Sequence, residues 1–114
     1  MSKITFNDFQ RIMAYDVRKD ERRIEVEFYV DDCTEYNDAN LGKCVNKDTN
    51  GVSYWFGLTE DGLQAYDFNS FEEFVSAKVF KGKSLKDIWN SVSLHTLDAC
   101  DVEEILPFYF DEKN

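Results

Sequence analysis

Basic residues are scarce in this chain: 13 lysines and arginines stand against 23 aspartates and glutamates, for a formal charge of −10. Direct binding to nucleic acid or to an anionic membrane needs a cationic face, so both kinds of partner are set aside. Histidine is scarcer still. His95 is the only one, so any imidazole acid–base chemistry must use it. One proline and five glycines leave no material for a low-complexity linker. No apolar run approaches the roughly eighteen residues that cross a bilayer. The N-terminal MSKITFNDFQ lacks the apolar stretch of a secretory signal. Cys33, Cys44 and Cys100 are an odd number of cysteines at no framework spacing, which suits a reducing compartment. The expectation from these absences is a cytoplasmic domain.

Core material, by contrast, is plentiful. Apolar residues make up 43% and aromatics 16% of 114 residues, enough for a single compact domain over 1–114. The acidity is regional. Residues 24–40, IEVEFYVDDCTEYNDAN, hold Glu25, Glu27, Asp31, Asp32, Glu35 and Asp38 with no lysine or arginine. Residues 98–112 hold six more carboxylates, again without a base, so the remainder of the chain sums to about +2.

Phe6, Phe9, Ile12 and Met13 recur at helical spacing behind Thr5 and Asp8, which predicts a helix over 6–15. The RKDERR run at 18–23 reads as a solvated connection. Ile24, Val26, Phe28 and Val30 then alternate with Glu25, Glu27 and Tyr29, a strand that turns both glutamates to one face about 7 Å apart. Asn50-Gly51 signals a hairpin through a type I′ turn, with strands over 43–48 and 52–58. Glu60-Asp61-Gly62 reads as a turn into a strand over 63–68. Ser70/Glu73 and Ser84/Asp87 are capping boxes ahead of helices at 71–78 and 85–91. VSLHTL (92–97) fits a further strand, and DVEEIL (101–106) a helical turn stopped by Pro107. The fold expected is α+β: a small antiparallel sheet of three to four strands, with its hairpin at Asn50-Gly51, packed by two to three short helices.

No motif in the chain completes a catalytic or metal site. Gly82-Lys83-Ser84 opens a helix as a phosphate loop would, but the first glycine of that motif falls on Ala77. Asn46, Asp48, Asn50 and Gly51 have the spacing of a calcium loop, yet position 12 is Gly57 where a bidentate glutamate belongs. Cys33, Cys44, His95 and Cys100 total a Cys3His set without the close Cys-x-x-Cys pairs of zinc sites. The expectation is no metal, no cofactor and no catalytic residue. The alternative is a small enzyme using Cys33 or Cys100 as nucleophile, with His95 as base and Asp98 to orient it.

Tyr54-Trp55-Phe56, with Tyr66, Phe68, Phe71 and Phe74, supplies core, but alternation sends Trp55 to the face opposite Tyr54 and Phe56. Trp55 is thus covered by a helix or belongs to an interface. Lys78, Lys81, Lys83 and Lys86 form a basic tract, read as solvated surface or as internal balance for the acidic segments. The acidic strand itself has a bland explanation in solubility. Its functional reading is a non-catalytic domain whose Glu25, Glu27, Tyr29, Asp31, Asp32, Glu35 and Trp55 bind a basic protein partner. Such a domain would mimic nucleic acid, as an immunity protein or anti-defence inhibitor of a nucleic-acid-processing enzyme does. A structural subunit assembling by its sheet edge or aromatic surface is the other class considered.

Overall fold

The computed structural model describes residues 3–19, 21–31, 33–36, 39–59 and 61–110, and in it the alternating stretch is strand β1 (Ile24–Val30). Ile24, Val26 and Phe28 are buried and the residues between them turn outward, as the period of two requires. β1 lies inside the sheet. Its neighbours are β2 (Ala39–Val45) and β5 (Val92–Leu97), and β3 (Val52–Gly57), β4 (Ala65–Phe68) and β6 (Cys100–Asp101) complete the antiparallel order β4-β3-β2-β1-β5-β6.

Four α-helices occur among the described residues: α1 (Phe6–Met13), α2 (Phe71–Ser76), α3 (Leu85–Ile88) and α4 (Val102–Phe110). Each contributes to the single apolar cluster that the inward strand residues Val26, Phe28, Leu41, Phe56 and Leu94 build. The helices therefore cover one face of the sheet, and the architecture is two layers. Within that cluster Phe56 stacks on Phe74 at 4.4 Å between ring centroids, and Phe9 lies 4.6 Å from Trp89.

The α+β class with an antiparallel sheet is as expected; the count of strands is not. Six strands replace the three to four anticipated, and four α-helices the two to three. β2 begins at Ala39 because Ala39, Leu41 and Lys43 alternate inward, a pattern obscured by an inward lysine and an outward Gly42. β6 follows a tight turn at Asp98-Ala99, both at positive φ (55° and 64°), with Leu97 paired to Cys100. That is type I′ geometry without a glycine, so the usual sequence signal is missing.

The β2–β3 hairpin exists, but its turn is not the two-residue type I′ expected at Asn50-Gly51. Asn50 has φ 57° while Gly51 does not reach positive φ, and the loop closes instead through Asn50 N to Asn46 O and Asn46 N to Gly51 O, both 2.8 Å. Asn46 Oδ1 accepts from Asp48 N at 3.0 Å, so this oxygen of the calcium-like spacing serves the turn. Pro107 likewise does not stop α4, which continues to Phe110. The carbonyl that loses its donor there belongs to exposed Glu103, where water can replace it. The Tyr109 hydroxyl, 2.5 Å from Asp98 Oδ2 and 3.0 Å from Arg22 Nη2, holds the last turn in place.

Helix starts match their capping signals. Thr5 Oγ1 accepts from Asp8 N at 3.0 Å, Ser70 Oγ from Glu73 N at 3.1 Å, and Ser84 and Asp87 form the full reciprocal box. α3 is only four residues long and passes into a 3-10 turn, Trp89–Ser91, so the 85–91 segment is helical in two pieces. The inward Lys43 is 5% exposed. Its ammonium donates to the carbonyls of Met13 (2.6 Å) and Tyr15 (2.7 Å) at the end of α1 and lies 5.5 Å from the Tyr54 ring centre. Burial pushes its pKa below the usual lysine value. A cation there satisfies carbonyls that the helix end leaves open, tying α1 to β2.

Candidate functional site

The face of the sheet opposite the helices is where the outward residues of β1 meet those of its neighbours. Strand register arranges them in rows. Glu25 pairs with Gly42, Gly42 with Trp55, and Trp55 with Asp67, so one row runs Glu25–Gly42–Trp55–Asp67 across β1 to β4. The adjacent row runs Asp101–Thr96–Glu27–Asn40–Gly57–Ala65 across the whole sheet. Tyr29 opposite Ser93 stands next along β1.

Gly42 is what lets Trp55 lie down. A Cβ at that position would stand 2.6 Å from the indole Cζ2 and 2.2 Å from the Ile24 carbonyl oxygen, so only glycine fits beneath the ring. Trp55 is half-buried for this reason, by the strand under it rather than by a helix over it. Glu25 and Asp67 stand one row position away on either side of the Gly42–Trp55 pair.

Glu27 is held more firmly. Its Oε1 accepts from Thr96 Oγ1 at 3.1 Å and lies 3.9 Å from His95 Nε2. His95 is exposed because the β1–β5 register slips between Glu27 and Phe28, leaving it as the extra residue of a bulge, and its ring meets Tyr29 edge-on at 5.7 Å. Bulges re-aim side chains, and this one gathers Glu27, Tyr29 and His95 at mid-face. His95 thus has its ring contacts on β1, while Cys33, Cys44 and Cys100 sit after β1, in β2 and in β6 respectively. Among the described residues no group of three or more His, Cys, Asp or Glu side chains is placed to hold a metal ion.

No outward strand position on this face is a lysine or arginine, whereas Glu25, Glu27, Asp67 and Asp101 are all carboxylates. Nor is the face greasy. Among the described residues the large apolar side chains that are exposed, Leu63 and Phe108, lie in the turn before β4 and on α4. Charge and two aromatic rings, not an apolar patch, give the surface its character.

Of the residues singled out in the sequence, Glu25, Glu27, Tyr29 and Trp55 come together on this face. Asp31 and Glu35 do not join them. Asp31 follows β1 and pairs with Lys3 at 3.1 Å, and Glu35 sits in a 3-10 turn with Lys81 at 3.5 Å. Asp32 lies outside the described residues, as do Asp38, Glu60, Asp111 and Glu112. Lys81–Glu35 shows part of the basic tract balancing an acidic segment; Lys78 instead pairs with Asp87 on its own side at 2.9 Å. Asp98, from the second acidic segment, is ion-paired with Arg22 and caps Glu25 N at 3.0 Å, so that carboxylate is structural. Asp67, Asp101, Asn40 and Thr96 were absent from the sequence-based set. Only the strand pairing puts them beside Glu27 and Trp55, although the parity of Asp67 relative to Tyr66 and Phe68 hinted at an outward position.

No family model matches the chain, and no curated protein or solved structure is similar to it at a significant level. Among the described residues no helix is long and apolar enough to cross a membrane.

Proposed function

We propose that this protein is a non-catalytic binding domain whose open sheet face docks a basic protein partner. The observation that carries this reading is the row Glu25–Gly42–Trp55–Asp67, in which an outward-facing indole stands in register between two carboxylates on strands whose outward positions hold no lysine or arginine. An arginine of the partner can stack on Trp55 and meet the flanking carboxylates, combining a cation–π contact with charge-assisted hydrogen bonds. Tyr29 adds an amphipathic anchor and Glu27 a second acidic contact.

Surfaces rich in arginine and lysine are the ones that nucleic-acid enzymes turn toward phosphates. A face spaced in carboxylates along and across strands presents such an enzyme with anions in place of its substrate, which is the work of an inhibitor or immunity protein. The test is capture of partners from the native host on immobilised wild-type protein and on a Glu25→Lys, Asp67→Lys variant. A basic nucleic-acid-processing protein retained by wild type, released by salt and missed by the variant supports the reading. Equal capture by both proteins refutes it.

A further inference from the structure

At the end of the sheet where β1 begins, the surface changes sign. A groove of about 670 Å³ lies between the 17–23 connection and the β2–β3 loop, lined by Arg18, Arg22, Arg23 and Lys47, with Glu21 and Asn50 beside them. In a chain of net charge −10, four cations about one groove are a strong local departure.

Two of the four are already engaged. Arg18 Nε is 2.9 Å from Asp16 Oδ1, and Arg22 is paired with Asp98 while three aromatic rings, Tyr15, Phe108 and Tyr109, surround its guanidinium at 4.6–5.5 Å. These contacts fix both side chains at the wall of the groove. Arg23 and Lys47 are exposed, and no carboxylate pairs with either among the described residues. The loops carrying them are braced by their own backbone bonds, Arg22 N to Val17 O at 3.1 Å and Asn50 N to Asn46 O at 2.8 Å. The result is a preformed cleft in which Arg23 and Lys47 are in no ion pair and Glu21 is the single carboxylate among the described lining residues.

We propose that this groove binds a phosphate monoester, with Arg23 and Lys47 meeting the dianion. Arg23 and Lys47 offer two unpaired cations to a group of about two negative charges, against the one carboxylate of Glu21, and an arginine fork beside a lysine is a common phosphate grip. The groove falls in the size range of small-ligand sites, so it has room for an organic group beyond the phosphate itself. The surrounding negative charge disfavours long polyanions such as nucleic acid and leaves compact anions held by direct contact. A small free ester and a phosphorylated side chain of a protein both carry this group; the chemistry that the groove recognises is the same. Cys44, two residues along β2 from Gly42, brings the groove to the border of the open face, but none of Glu25, Glu27, Tyr29, Trp55 or Asp67 lines it, so its test does not depend on a partner docking there.

The experiment is an amide NMR titration of the intact protein at constant ionic strength with inorganic phosphate, a hexose phosphate and a phosphoserine peptide. Saturable shifts confined to residues 17–23 and 46–51, absent with chloride, are expected. Lys47→Gln should weaken binding about tenfold, and Arg23→Gln with Lys47→Gln should abolish it. Tighter binding of the hexose phosphate than of the peptide identifies a free ester as the source, and the reverse order a phosphorylated protein. Shifts that persist in the double variant, or that appear equally at Lys83 and Lys86, mean diffuse surface charge only and overturn the proposal. Lys47 sits in an exposed loop, so the single variant carries the test even where the double variant unfolds.

Discussion

Gly42 is the residue on which the open face most depends. A methyl group there would collide with the Ile24 carbonyl oxygen and with the Trp55 ring, and the backbone atom cannot swing aside as a flexible side chain could. Gly42→Ala should cost about 1–3 kcal/mol in urea denaturation and alter Trp55 fluorescence. A variant with wild-type stability and an unchanged spectrum would show that the indole does not rest on Gly42. Lys43, the next residue, makes the opposite demand. Its ammonium is disfavoured by burial, yet it serves two carbonyls at the end of α1. Lys43→Met keeps the apolar stem and removes the donors, so it should destabilise by about 1–3 kcal/mol. An equally stable Met variant would mean that water reaches those carbonyls. Two adjacent positions thus face opposite layers, one shaping the open face of the sheet and one fastening a helix.

At the scale of elements, ionisable groups in caps and turns set how the fold responds to pH. Asp87 is held down to about 2 by the Ser84 backbone N–H, then by Lys78 and the Ser84 hydroxyl. Its folded value lies below the ordinary 3.8, so its contribution is complete above pH 3.8 and is lost as pH falls through about 2. Tyr36 is pushed up to about 12, chiefly by burial and then by Glu35. Its folded value lies above the ordinary 10.0, so its contribution is complete below pH 10.0 and is lost as pH rises through about 12. The melting temperature of Asp87→Asn should therefore lie below wild type at neutral pH and converge on it toward pH 2. A gap independent of pH would show that the carboxylate is not the capping group.

The elements also differ in how openly the sequence declares them. β1 was legible because its inward residues are all apolar and its outward ones all polar or amphipathic, and the same parity located Glu25, Glu27 and Tyr29. β2 was only half legible, since Lys43 occupies an inward site for the sake of α1 and Gly42 an outward one for the sake of Trp55. β6 and the full length of α4 were hidden for similar reasons. A positive-φ turn without glycine and a proline tolerated in a helix are both decided by tertiary contacts around Asp98, Arg22 and Tyr109. Asp67 and Asp101 depend on register between strands, which no local pattern encodes.

For the molecule as a whole, the helices take one face of the sheet and leave the other to solvent, and the charges are divided accordingly. Carboxylates without bases occupy the open strands, while Arg18, Arg22, Arg23 and Lys47 gather at one end. A single exposed ion pair contributes only about 0.2–1 kcal/mol, so such a face acts through several contacts together and through the rate of encounter. The measurement that tests this most directly is the association rate with the captured partner across ionic strength, for wild type and for a Glu25→Lys, Glu27→Lys, Asp67→Lys variant. Circular dichroism serves as the folding control, since none of these side chains enters the core. The account predicts a folded variant whose association at low salt is slower by about tenfold or more, with the difference shrinking as salt rises. A folded variant that associates at the wild-type rate throughout the salt range would contradict it.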